Sequence, residues 1–112
     1  MRTPEGQVKD KVKAFLHSRK VQSLTHPIPD AVGFYWMPVV SAMGAPFLDF
    51  VICYRGYFVA AETKGTMAAK PTPRQRLLLD MIIDAGGCSV WGSDLIVDQL
   101  RDAFDEIDRR RA

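Results

Sequence analysis

Two β-forming runs on either side of Arg55-Gly56 constrain this chain most. Residues 48–54 and 57–63 are rich in β-branched and aromatic side chains, and Arg-Gly suits a two-residue turn. The pattern predicts a hairpin in which Tyr54 pairs with Tyr57, so the numbers of paired residues sum to 111. We therefore expect the fold to be built around one antiparallel strand pair.

This register sets two carboxylates opposite each other. Asp49 faces Glu62, about 5 Å across the ladder, and Lys64 shares the face of Glu62 because side chains alternate along a strand. Two carboxylates 4 Å apart repel by about 4 kcal/mol at an effective dielectric near 20. Either a bound Mg²⁺ or Mn²⁺ offsets this repulsion, or the three groups form surface ion pairs of little energetic value. Both acids lie at the ends of apolar runs that look buried. Burying an unpaired carboxylate costs free energy, and this favours the bound metal over surface ion pairs.

One helix and one strand are predicted before the hairpin. Thr3-Pro4-Glu5 has the capping residue, proline and acid of a helix N-terminus, and apolar residues recur at helical spacing as far as Lys20. A proline-containing loop over 25–30 follows, then an aromatic strand over 34–37 and a loop of small residues over 41–46.

Helix, strand and helix are predicted after the hairpin. Thr72 with Gln75 three residues later matches a capping box, and the helix runs to a Gly86-Gly87 stop. A short buried strand over 88–91 follows, and Ser93 is expected to cap a last helix. A strand-helix-strand crossover makes the last strand parallel to its partner. The predicted class is α/β, in the order α-β-β-β-α-β-α, with a small mixed sheet flanked by helices.

Composition and length exclude several classes of protein. A chain of 112 residues with 47% hydrophobic and 25% charged residues is expected to form one globular domain over 1–112, rather than a disordered chain, a fibre or a disulfide scaffold. Cys53 and Cys88 lie in apolar runs, which predicts buried reduced thiols and a reducing compartment. Without a membrane-spanning run or a secretory signal, the protein is expected to be cytoplasmic.

Charge is distributed unevenly along the chain. The net charge is only +2, but residues 1–79 hold 11 Lys/Arg and 5 Asp/Glu, whereas residues 80–112 hold 4 and 8. Basic surface is therefore expected on the first two thirds of the chain, which is the part that contains the paired carboxylates.

The carboxylates and their neighbours resemble a known motif. Gly44 in a loop, Asp49 on a strand, a hairpin, Glu62-Thr63-Lys64 on the next strand and Gln75 at the start of a helix are similar to the PD-(D/E)XK nuclease superfamily. Within it, the chain most resembles the small stand-alone virus-type replication-repair nucleases (the VRR-NUC group), which are related to archaeal Holliday junction resolvases. The resemblance runs from Glu5 to about Gly92. The proline of the motif, which should adjoin the aspartate, is here Pro46, three residues before it.

The resemblance implies a restriction-endonuclease-like core and a metal-dependent, structure-selective DNA endonuclease. It would act as a homodimer on branched DNA such as four-way junctions. Asp49 and Glu62, with the backbone carbonyl of Thr63, would bind Mg²⁺ or Mn²⁺, and Lys64 would orient or activate the attacking water. Gln75 would orient groups at the site as well as cap its helix. Glu5 is either a further metal ligand or only an acid at the helix N-terminus.

Further roles are left with alternatives. Basic residues near the motif are expected either to contact DNA phosphates or to be ordinary solvated charges: Lys9, Lys11, Lys13, Lys70, Arg74 and Arg76. The dimer contact is expected around residues 34–37 or on the last helix. The alternative functions are a non-catalytic DNA-binding or interaction module on the same fold and a sequence-specific restriction-type nuclease.

Overall fold

A five-stranded mixed sheet carries three helices in the part of the chain that the computed structural model describes, residues 2–39 and 46–112. The strands lie in the order β1-β2-β3-β4-β5, in which β2, β3 and β4 are antiparallel and the two outer pairs, β1 with β2 and β4 with β5, are parallel. The elements in chain order are α1 (Pro4–Ser18), β1 (Val21–Gln22), β2 (Gly33–Trp36), β3 (Phe50–Tyr54), β4 (Tyr57–Thr63), α2 (Pro73–Asp84), β5 (Cys88–Gly92) and α3 (Ile96–Arg111).

The α/β class and the mixed sheet are confirmed, with one addition. The prediction lacked β1, whose two residues pair with Gly33 and Phe34 of β2. A strand of two residues is too short to show alternation in the sequence. The small-residue loop expected over 41–46, including Gly44, lies outside the described residues except for Pro46.

The central hairpin has the predicted register. Pairs from Phe50 with Ala61 to Tyr54 with Tyr57 all have numbers that sum to 111. Arg55 and Gly56 have φ values of 49° and 88°, the two positive values that a tight hairpin turn with matching strand twist requires. The turn residues therefore determine which side chains of the two strands lie opposite each other.

The helix boundaries follow local capping, with one correction. Thr72 and Gln75 form the expected capping box at the start of α2, and Gly86, with φ of 94°, lies just beyond its end. The prediction that Ser93 caps the last helix is wrong. The N-cap of α3 is Leu95, which makes no side-chain capping bond, whereas the Ser93 carbonyl accepts from the Ile96 amide at 3.2 Å. Ser93 thus closes a turn that precedes the helix.

Two faces of the sheet are covered unequally. Helices α1 and α3 pack on one face over a core that includes Phe50, Ile52 and Phe104, and α2 packs on the other through Leu79 against Ala60. Helix α2 packs mainly against β5 and β4, and among the described residues several apolar side chains of β2, β3 and β4 are exposed on the same face: Phe34, Trp36, Cys53 and Phe58.

The exposed part of this face includes a cysteine, so one expectation about the cysteines is wrong. Cys53 was expected to be buried, but it is exposed, as are its neighbours across the ladder, Phe34 and Phe58. Cys88 is half-buried, and both thiols are free.

Within the described ranges, no helix has the length and apolar character needed to cross a bilayer.

Candidate active site

Side chains from both strands of the hairpin and from two helices converge where β4 ends. The chain bends at Asp49, immediately before β3, opposite the last residues of β4. The first turns of α1 and α2 approach the same point and supply side chains from either face of the sheet. The residues brought together are Glu5, Lys9, Asp49, Glu62, Thr63, Lys64 and Gln75.

The contact between Asp49 and Glu62 lies just beyond the paired part of the hairpin. The regular ladder ends at Phe50 with Ala61. One position further the chain bends, and the Asp49 amide donates to Oε1 of Glu62 at 3.1 Å. The two residues are in contact through this bond, and their carboxylates have different hydrogen-bond partners.

Thr63 holds the carboxylate of Asp49. Oδ2 of Asp49 accepts from the Thr63 amide at 2.9 Å and from the Thr63 hydroxyl at 2.6 Å. Sequence analysis missed this hydroxyl because simple alternation puts Thr63 on the face opposite Glu62. The bend at Asp49 brings the two together. The sequence does show a hydroxyl residue, Thr63, between the acid and the lysine of the Glu-x-Lys pattern, and this could have suggested a hydrogen-bonding role for it.

Glu62 is a buried acid whose ionised form is disfavoured. Only 4% of the Glu62 surface is exposed. Burial first, and then the charge of Asp49, raise the pKa of the Glu62 carboxyl to about 7, although Lys64 and the Asp49 amide oppose the rise. A cation beside both carboxylates would favour the ionised form.

Gln75 connects Glu62 to Lys64. Its Nε2 donates to Oε2 of Glu62 at 2.9 Å, and its Oε1 accepts from Nζ of Lys64 at 2.7 Å. The ammonium of Lys64 lies 3.6 Å from Oε2 of Glu62 and is largely buried. Thr72 donates its amide to Oε1 of Gln75 at 3.0 Å, so one side chain serves both as helix cap and as a bridge in the site.

Glu5 and Lys9 approach the cluster from α1. Nζ of Lys9 lies 3.3 Å from Oε2 of Glu5 and 3.7 Å from Oδ1 of Asp49. The Lys9 ammonium therefore lies between the carboxylates of Glu5 and Asp49. In residues 2–39 and 46–112, no group of three or more His, Cys, Asp or Glu side chains is arranged to hold a metal. Glu5 therefore does not form a third ligand with Asp49 and Glu62 in this geometry.

Gly65 is a further residue that sequence analysis did not single out. A Cβ at this position would lie 3.1 Å from the backbone nitrogen of Glu5. Because that contact is with backbone, a side chain here would have to displace the first turn of α1 by a few tenths of an ångström, and glycine fits the close approach without any shift.

The donor set is chemically suited to Mg²⁺ or Mn²⁺. Mg²⁺ is commonly held by one or two carboxylates, with water and substrate phosphate completing its octahedron. Asp49 and Glu62 supply two hard oxygen donors, and the charge of Asp49 adds to the effect of burial in raising the pKa of Glu62 to about 7. Two carboxylates are within the number that Mg²⁺ usually takes from a protein.

The other basic residues that were predicted to contact DNA lie in two places, near the start of α2 and on α1. Lys70, Arg74 and Arg76 are exposed near the start of α2, and Arg76 lies over the Trp91 ring at 5.5 Å. Lys11 is exposed on α1, whereas Lys13 lines a cleft with other residues of α1 and of β1 and β2.

The chain was compared with protein-family models, curated proteins and solved structures, and none of them matches it.

Proposed function

We propose that this chain is a divalent-metal-dependent endodeoxyribonuclease that hydrolyses phosphodiesters in branched DNA. The observation that carries the proposal is the joined set Asp49, Glu62, Lys64 and Gln75, in which a buried acid with a pKa of about 7 lies between a second acid, an ammonium and an amide. The order of elements around it is consistent with a restriction-endonuclease-like core.

Asp49 and Glu62, with the backbone carbonyl of Thr63, are the residues that would hold the metal. A bound Mg²⁺ or Mn²⁺ supplies positive charge to the scissile phosphate and lowers the pKa of water. Thr63 fixes the orientation of Asp49 through two hydrogen bonds, and the Asp49 amide fixes Oε1 of Glu62. The two carboxylates are therefore preorganised by the strand pair that bears them.

Lys64 is the group that would meet the phosphate or the attacking water. Its ammonium donates to Gln75 and lies beside Glu62, which keeps a positive charge at a fixed position in a largely buried site. A preorganised donor of this kind stabilises the negative charge that develops on the phosphate in the transition state. Gln75 positions Lys64 and does not itself need to touch substrate.

DNA would reach the site along the starts of the two helices that frame it. Lys70, Arg74 and Arg76 are exposed beside the first turn of α2, whose amides present the positive end of the helix dipole. Lys9, Lys11 and Lys13 belong to α1 on the other side of the cluster. Contacts to phosphate from both sides would position a duplex without reading its sequence.

A homodimer would supply two active sites to one branched substrate. The last helix buries its apolar face in the core of its own chain, whereas Phe34 and Trp36 of β2 remain 41% and 47% exposed. These exposures favour the aromatic strand over the last helix as the surface for a two-fold contact.

Cleavage of defined DNA tests the proposal. Labelled four-way junction, flap and linear duplex are incubated with the protein in Mg²⁺, Mn²⁺ or EDTA. We expect metal-dependent cleavage of branched DNA, reduced at least about a hundredfold in Lys64→Ala. Lys20→Asn, which suits the positive φ of that distant position, is the matched control and should cleave normally.

The outcomes separate the alternatives. Binding of junctions without cleavage in any metal would indicate a non-catalytic module, and cleavage of linear duplex at one sequence would indicate a restriction-type nuclease. Cleavage that persists in Lys64→Ala would contradict the assignment of the site.

A further inference from the structure

The ammonium of Lys9 lies next to the one Asp49 oxygen that Thr63 does not bind. Oδ2 of Asp49 accepts two hydrogen bonds from Thr63, at 2.9 and 2.6 Å. Oδ1 lies 3.7 Å from Nζ of Lys9. Any cation that binds Asp49 through its available oxygen therefore shares that oxygen with the lysine.

Glu5 holds Lys9 in this position. The pair is four residues apart on α1, with 3.3 Å between Nζ of Lys9 and Oε2 of Glu5, a spacing that places both side chains on one side of the helix. The side chain of Lys9 is only 25% exposed, so its charge is screened less than that of a free surface lysine. Glu5 thus orients the lysine toward Asp49.

We propose that Lys9 is a built-in counter-ion that weakens metal binding in the free protein and couples metal binding to DNA binding. The inference rests on the proposed nuclease function. Lys9 and the divalent cation compete for Oδ1 of Asp49, and a DNA phosphate near the cluster offers the ammonium another anion. When Lys9 moves to the phosphate, Asp49 is released to the metal.

Reciprocity follows from linkage between the two binding events. If DNA raises the affinity for the metal by some factor, the metal raises the affinity for DNA by the same factor. Metal would then be held firmly only when substrate is present. Glu5 acts in this scheme by positioning Lys9, without being a metal ligand.

Mn²⁺ binding to the free, full-length protein provides a test independent of cleavage. Electron paramagnetic resonance measures unbound Mn²⁺ in titrations of wild type, Lys9→Met and Lys9→Arg. We expect Lys9→Met to bind Mn²⁺ about fivefold more tightly, the effect of losing one partly exposed ion pair, and Lys9→Arg to resemble wild type. Lys20→Asn, which removes an exposed lysine two residues beyond the end of the same helix, is the matched control and should leave the affinity unchanged.

A second measurement tests the coupling. In the Lys64→Ala background, which prevents turnover, four-way junction DNA should raise the affinity for Mn²⁺ more in the presence of Lys9 than in its Met variant. Circular dichroism verifies folding, and Lys9→Gln replaces Lys9→Met if the latter does not fold.

The possible failures are distinguishable. If wild type binds Mn²⁺ and cleaves DNA but the neutral Lys9 variants bind Mn²⁺ no more tightly, only this inference is overturned. If wild type neither binds Mn²⁺ nor cleaves any substrate, the proposed function fails and this inference fails with it.

Discussion

Nε2 of Gln75 donates a 2.9 Å hydrogen bond to Oε2 of Glu62. The other end of the same amide, Oε1, accepts from Lys64 and from the Thr72 amide. The residue that completes the capping box of α2 is therefore also the one that joins the buried acid to the ammonium. Formation of the helix N-terminus and assembly of the candidate site are coupled through one side chain.

Gln75→Glu separates these two roles. A carboxylate still accepts the Thr72 amide and preserves the capping box, but it cannot donate to Glu62 and adds a third negative charge beside it. We expect cleavage in single-turnover assays to fall at least about tenfold while the helix remains capped. Thr72→Ala, which removes the cap, should instead cost about 1 kcal/mol of stability with little effect on cleavage. Equal effects of both variants on rate would argue against a positioning role.

Stability should depend on pH through Glu62. In the unfolded chain this carboxyl loses its proton near 4.5, whereas in the folded protein it does so near 7. Between these values the folded state binds more protons than the unfolded state, so the free energy of unfolding falls as pH rises from about 4.5 to 7. The contribution is at most about 3 kcal/mol. Urea unfolding at a series of pH values measures it.

Glu62→Gln is the control for this pH dependence. The variant has no carboxyl to titrate, so the decline in this window should disappear from the unfolding curves. In wild type, Mn²⁺ should reduce the decline, because a cation beside Asp49 and Glu62 favours their ionised forms. A decline of the same size in Glu62→Gln would assign it to other groups.

Local patterns were sufficient to predict the framework of the site. The turn residues Arg55-Gly56 set the hairpin register, which runs as far as Phe50 with Ala61 and so brings Asp49 close to Glu62. The Thr72 and Gln75 spacing predicted the start of α2. These features depend on residues close in sequence, whose turn and capping preferences can be predicted without knowledge of the tertiary structure.

Features that depend on packing could not be read in the same way. The exposure of Cys53 follows from how far α2 extends across the sheet, and this is decided by tertiary packing. The contact of Thr63 with Asp49 depends on a bend that breaks strand alternation. Lys9 was expected either to contact DNA or to be a solvated charge, because an ion pair with a residue 40 positions away leaves no local pattern.

Thr63→Val tests the hydrogen bond that orients Asp49. Valine preserves the shape of threonine but removes the hydroxyl that donates to Oδ2, leaving only the backbone amide as donor. We expect a loss of about 2 kcal/mol in stability, typical of a hydrogen bond to a charged group, and weaker Mn²⁺ binding. Thr25→Val, at an exposed turn, should change neither quantity. Unchanged Mn²⁺ affinity in Thr63→Val would show that the Thr63 hydroxyl does not orient Asp49 for metal binding.

Tyr54→Phe should destabilise the protein without affecting catalysis. The Tyr54 ring stacks on Phe104 with centroids 3.9 Å apart, and its hydroxyl donates to Asp108 at 3.1 Å. Loss of that bond should cost about 1 to 2 kcal/mol. Five residues of extended strand, about 17 Å, separate Tyr54 from Asp49. Cleavage per folded molecule should equal wild type, and a loss of rate would reveal coupling between the two ends of β3.

Trp36→Glu should dissociate the proposed homodimer. The ring of Trp36 is half-exposed and lies 5.7 Å from that of Phe34, on the sheet face on which α2 packs. A carboxylate there is solvated in the monomer but would be buried against an apolar surface in the dimer, so we expect the dissociation constant to rise about a hundredfold. Sedimentation velocity compares this variant with wild type and with Leu95→Glu, which alters an exposed residue that follows β5, at the opposite edge of the sheet. A wild-type protein that sediments as a monomer at tens of micromolar would contradict the dimer, and an equal effect of Leu95→Glu would move the contact away from Trp36.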